Sequence, residues 1–67
     1  MTEYKVKKIN LKNCYDMDEY QKRAQNASVH FCKGQKELIE YCGGKLKKER
    51  CGYCGIIGDI EYIAEKV

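Results

Sequence analysis

Proline and tryptophan are absent from this chain, and it has a single phenylalanine and a single histidine. The lack of proline removes its rigid turns and, in practice, cis peptide bonds. The lack of tryptophan, with one phenylalanine, leaves a thin apolar core whose bulk must come from tyrosine and cysteine. A lone histidine with no serine or aspartate arranged around it gives no Ser/His/Asp set. Gly43-Gly44-Lys45 lacks the spacing of a phosphate-binding loop. No apolar run is long enough to cross a bilayer. The polar start lacks the apolar core of a secretory leader, so an intracellular, reducing environment is expected, cytoplasmic rather than secreted. No low-complexity tract, linker or repeat interrupts the chain.

The 67 residues suffice for one domain spanning 1–67. At that length a hydrophobic core is marginal without a metal or cross-links. There are 13 basic and 10 acidic residues, for a net charge of +3. That balance permits nucleic-acid binding without arguing for it.

Five cysteines are present, an odd number. In a reducing compartment, clustered cysteine points to metal binding rather than to disulfides. Cys51-Gly52-Tyr53-Cys54-Gly55 carries two thiols three positions apart, with glycine to ease the turn beneath a shared ion. Cys42-Gly43-Gly44 supplies another thiol with a glycine partner. Cys42, Cys51 and Cys54 are therefore expected to ligate zinc. A structural zinc wants four ligands. The fourth is Cys32, with His30 and then Cys14 as alternates. His30 and Cys32 would share one face of a strand, so both could approach an ion. Such a site contributes roughly 10 kcal/mol or more to folding at neutral pH. The bland alternative is that these are inert, buried thiols; it suits Cys14 best.

Read from Ile39 to Gly55, the pattern resembles the zinc-ribbon family, C-x-x-C-G-x-x-L followed by C-x-x-C-G. Cys42, Gly43, Leu46, Cys51, Cys54 and Gly55 match, while Ile39 stands where the first ribbon cysteine belongs. The resemblance covers about a quarter of the chain and implies zinc and a β-hairpin, not an activity.

Periodicity organises the rest. Residues 3–12 alternate as a strand. Tyr4 and Val6 share one face and Ile9 and Leu11 the other, so a bulge is expected at Lys7-Lys8. Residues 16–27 read as a helix: Met17, Tyr20, Ala24 and Ala27 recur at helical spacing, Asp16 can cap it, and Asp18–Lys22 and Glu19–Arg23 are favourable pairs. Met17 and Tyr20 are expected to pack on Val6, Ile9 or Phe31. Residues 28–33 read as a strand. Residues 36–42 fit either its hairpin partner or a short helix stopped by Gly43. The tail from Ile60 fits a strand better than a helix. The expected fold class is α+β, one helix against a small antiparallel sheet with a zinc-ribbon-like hairpin.

Function is less legible. A non-enzymatic zinc module docking onto a larger protein, as adaptor, regulator or inhibitor, fits the mixed charge and ranks first. A nucleic-acid-binding module ranks second, using Lys45, Lys47, Lys48 and Arg50 with Tyr41 and Tyr53 for stacking, and Lys5, Lys7, Lys8 and Lys12 as a second basic strand. Third is redox chemistry, since Cys51 and Cys54 also look like the C-x-x-C of thioredoxin-like oxidoreductases.

Overall fold

The computed structural model describes residues 2–67. The first strand, β1 (Glu3–Asn10), carries Tyr4 and Val6 buried on one face and Ile9 buried on the other. No bulge separates them. Its pairing runs unbroken from Tyr4↔Lys66 to Asn10↔Ile60 on one side and from Glu3↔Lys33 to Lys8↔Ser28 on the other. The change of hydrophobic phase at Lys7-Lys8 instead marks a change in which face of the strand is covered.

Helix α1 (Met17–Gln25) covers the Ile9 side. Asp16 caps it, accepting from the Glu19 N–H at 2.7 Å, and Glu19 pairs with Arg23 at 3.0 Å. Arg23 also donates to the carbonyls of Asn10 at 2.8 Å and Lys12 at 2.6 Å, which ties the helix to the end of β1. Tyr20 bonds Glu61, the cross-strand neighbour of Ile9. Met17 does not join this packing; it is 67% exposed. Val6 faces the opposite side of the sheet, out of reach of α1, and Met17 heads the helix among Leu11, Cys14 and Tyr15.

The chain continues into β2 (Ser28–Lys33) and directly into a second helix, α2 (Gly34–Cys42). The hairpin alternative for 36–42 is therefore not taken, and the fold has two helices rather than one. Leu38 and Cys42, four apart, give α2 a buried stripe, and Gly43 ends it in the left-handed conformation at φ 72°. Three strands follow, β3 (Lys47–Glu49), β4 (Gly52–Ile57) and β5 (Ile60–Lys66). Gly58 supplies the positive φ, 65°, for the two-residue β4–β5 turn.

The five strands form one antiparallel sheet in the order β2-β1-β5-β4-β3. Helix α2 seals one face over Tyr4, Val6, Cys32, Tyr62 and Ala64, with Leu38 and Cys42 from the helix itself. The opposite face has α1 over the end near Ile9. No helix among the described residues is long and apolar enough to cross a membrane.

Candidate metal centre

Strand β2 places His30 and Cys32 on the face that α2 covers, since they lie opposite Val6 and Tyr4. Because α2 begins immediately at Gly34, its first turn brings Glu37 back over the same two residues. The ligand atoms of His30, Cys32 and Glu37 all lie within 4.8 Å of one another. Imidazole, thiolate and carboxylate are all zinc donors, with bonds of about 2.0–2.3 Å. Closing on an ion would draw these atoms to roughly 3.5 Å apart, a side-chain adjustment rather than a backbone one.

The surroundings hold the donors in place. His30 stacks flat on Tyr41, with ring centroids 4.1 Å apart and planes 8° from parallel. Lys8 sets its ammonium 5.5 Å from the Tyr41 centroid and 5.9 Å from that of Tyr62. Cys32 is fully buried, and burial, with the Glu37 carboxylate second, pushes its thiol above the ordinary cysteine range. Cys42 is buried too; burial and then the neighbouring Cys32 push its thiol up to about 11, with Lys8 opposing. Without an ion both thiols stay protonated at neutral pH, so metal binding there must release protons.

The expected quartet of Cys32, Cys42, Cys51 and Cys54 is not gathered. Cys32 and Cys42 belong to the core on the α2 side. Cys54 pairs with Ile63, which pairs with Lys7, and Lys7 points away from the face of Tyr4 and Val6. Cys54 is thus on the opposite side of the sheet, where its thiol donates to Glu49 at 3.6 Å. Cys51 is exposed between β3 and β4. The sheet itself separates the two pairs of thiols. Cys14, the second alternate, is half-buried before α1, its thiol 4.0 Å from the Asp16 carbonyl. Of the expected ligands, Cys32 and the alternate His30 share a donor cluster, which Glu37 joins unforeseen, while Cys42 neighbours Cys32 in the core without entering that cluster. The signal for Glu37 lay in the helix alternative for 36–42, which puts residue 37 in the first turn beside the end of β2.

The basic run also spreads out. Lys45, Lys47, Lys48 and Arg50 are all exposed, but Lys47 pairs with Cys54 and Lys48 with Tyr53, so they point to opposite faces. Tyr53 is half-buried, its ring edge-on to Tyr4 at 5.7 Å, and offers no free stacking platform. No family model matches the chain, and neither a curated protein nor a solved structure does.

Proposed function

We propose that this chain is a small non-enzymatic zinc-binding module that acts by docking onto a larger protein. One observation supports docking above the others. The sheet face opposite α2 presents Val29, Phe31 and Ile56 at 44%, 52% and 60% exposure. Lys5 and Lys7 share this face with Glu61, Ile63 and Glu65. An apolar surface threaded with both signs of charge suits a protein partner better than a polyanion. The His30-Cys32-Glu37 cluster supports the zinc reading, and an ion there would pin β2 to α2.

The other two readings find less support. Divergent lysines and a half-buried Tyr53 engaged with Tyr4 weaken the nucleic-acid reading. Redox chemistry wants a thiol of lowered pKa at a helix start; Cys54 sits on a strand, with its thiol pushed up by burial and by the bond to Glu49.

The test compares immobilised wild type with Phe31→Asp and Ile56→Asp in zinc-containing buffer at two salt concentrations. The expected result is a discrete protein bound by wild type, little affected by salt and lost from both variants. Recovery of nucleic acid that falls away steeply with salt would favour the second reading.

A further inference from the structure

A zinc ion held by three protein donors keeps one position open, and a structural site needs it filled. The sheet offers a way to fill it. Its two edges are unlike. Strand β3 is three residues, Lys47-Lys48-Glu49, all charged and exposed, the usual protection of an edge against pairing. Strand β2 is six residues, Ser-Val-His-Phe-Cys-Lys, with one formal charge. It has neither proline nor bulge.

The outward hydrogen-bonding groups of β2 can be assigned. Gly34 N–H donates to the Thr2 carbonyl at 2.8 Å. Antiparallel bonding alternates, so Cys32 and His30 also spend their backbone groups on β1, and Val29, Phe31 and Lys33 turn theirs outward. The Val67 N–H bond to the Glu3 carbonyl on the other side of β1 has the complementary parity. Two copies pairing edge to edge must therefore oppose odd residues as their hydrogen-bonded pairs. Centring the pair on Phe31 uses all three outward residues of each strand, Phe31 against Phe31 and Val29 against Lys33. In that register His30 lies directly opposite the partner's Cys32, a non-hydrogen-bonded pair with Cα atoms about 4.5 Å apart. Two imidazoles and two thiols then surround the two-fold axis on one face of the sheet.

We propose that a second copy of this chain pairs along β2 and that one zinc ion on the two-fold axis is held by His30 and Cys32 of both copies. This rests on reading His30 and Cys32 as metal ligands. It gives the ion a Cys2His2 set and needs no open position. Each bound thiol gives up its proton to solvent. Glu37 then accepts from the free ring nitrogen of His30, the outer contact that metal-bound histidines ordinarily make. On the other face the half-exposed Phe31 rings meet as a cross-strand aromatic pair. An interface in which both copies present the same strand closes on itself and leaves β3 as both outer edges.

Native mass spectrometry of the full chain, with zinc and then with chelator, tests this. The expected result is a dimer carrying one zinc per two chains that returns to monomer with chelator. His30→Ala should lose both zinc and dimer. Phe31→Pro removes an outward N–H and no bond to β1. It should keep the wild-type circular dichroism and weaken dimerisation at least about tenfold, the loss of two backbone hydrogen bonds across the axis. Phe31→Lys, which sets like charges across the axis, should do the same and serves if the proline variant does not fold. A monomer carrying one zinc per chain overturns the dimer and leaves the metal reading standing. A monomer without zinc overturns both. A dimer that holds no zinc, or that survives Phe31→Lys unchanged, overturns the shared ion.

Discussion

Gly52 separates two ways of reading the Cys51–Cys54 segment. The knuckle reading gathers Cys51 and Cys54 around an ion and asks nothing of Gly52 beyond the turn. In this fold Gly52 opens β4 against β5, paired with Glu65. A Cβ placed there would lie 1.9 Å from the Ala64 carbonyl oxygen, 2.9 Å from its carbon and 3.2 Å from the Glu65 Cα. These are backbone atoms of a neighbouring strand, so no rotamer relieves the clash. Ordinary contact begins at 3.4 Å, so the strands must part by roughly 1 Å or more at a spacing of about 4.8 Å. Gly52 also sits at φ 156°, outside the range side chains favour.

The magnitude follows. Overpacking costs about 1–3 kcal/mol. Prising β4 from β5 endangers the Lys66 N–H bond to the Cys51 carbonyl, 2.9 Å, worth about 1 kcal/mol more. Gly52→Ala should therefore cost about 3 kcal/mol. A chain of this length is stable by roughly 3–10 kcal/mol, so the variant loses a large share of its stability. Urea unfolding followed by far-ultraviolet circular dichroism is the assay. With a slope near 1 kcal/mol per molar for so small a domain, the midpoint should fall by about 2–3 M. A midpoint within about 0.3 M of wild type would refute the β4–β5 pairing at this point and return the segment to the knuckle reading.

Other expectations follow from the same placement. Cys51→Ser and Cys54→Ser should each shift stability by less than about 1 kcal/mol and leave zinc content unchanged, because Cys51 is exposed and Cys54 half-buried; zinc loss in either, measured by atomic absorption, would restore them as ligands. Leu38→Ala empties the middle of the α2 contact and should cost about 2–5 kcal/mol in the same urea assay. Tyr20, whose hydroxyl donates to Glu61 at 2.5 Å, has its pKa raised from 10.0 to about 12, chiefly by that bond and then by burial. The neutral phenol is therefore the stabilising form, fully effective below pH 10 and lost as pH climbs from 10 to 12. Tyr20→Phe should cost about 1 kcal/mol at neutral pH, and its unfolding midpoint should converge with that of wild type across that interval; a constant gap would sink the assignment.

How much of this the sequence disclosed depends on whether the deciding interaction was local. Helix α1 is legible because each of its determinants, the Asp16 cap on Glu19 and the Glu19–Arg23 pair, acts across about one turn. The terminal strand was legible from the alternation of Ile60, Tyr62 and Ala64. Residues 36–42 were ambiguous because the choice between strand and helix rested on what Leu38 and Cys42 would bury against, and that surface is made by β1 and β5. The bulge at Lys7-Lys8 was a misreading of the same kind: a strand covered by different helices on its two faces shifts its apolar phase without any break in pairing. Met17 fits the helical stripe, yet it heads the helix beside Leu11, Cys14 and Tyr15, off the sheet that Tyr20 of the same stripe reaches.

The cysteines failed as a set for a topological reason. A sequence motif counts positions along the chain, whereas a metal needs donors on one side of a surface. Here β1 inserts between β2 and β5, so the strand bearing Cys32 and the strand bearing Cys54 lie three places apart in the sheet. Their parity then sends the two thiols to opposite faces. The pair that survives, His30 and Cys32, is the one whose spacing of two guarantees a shared face in any strand. Glu37 joins it because no loop intervenes between β2 and α2. The cluster therefore lies at the edge of the sheet, beside the strand whose outward hydrogen bonds a second copy could take up, and away from the β3–β4 turn where the motif had pointed.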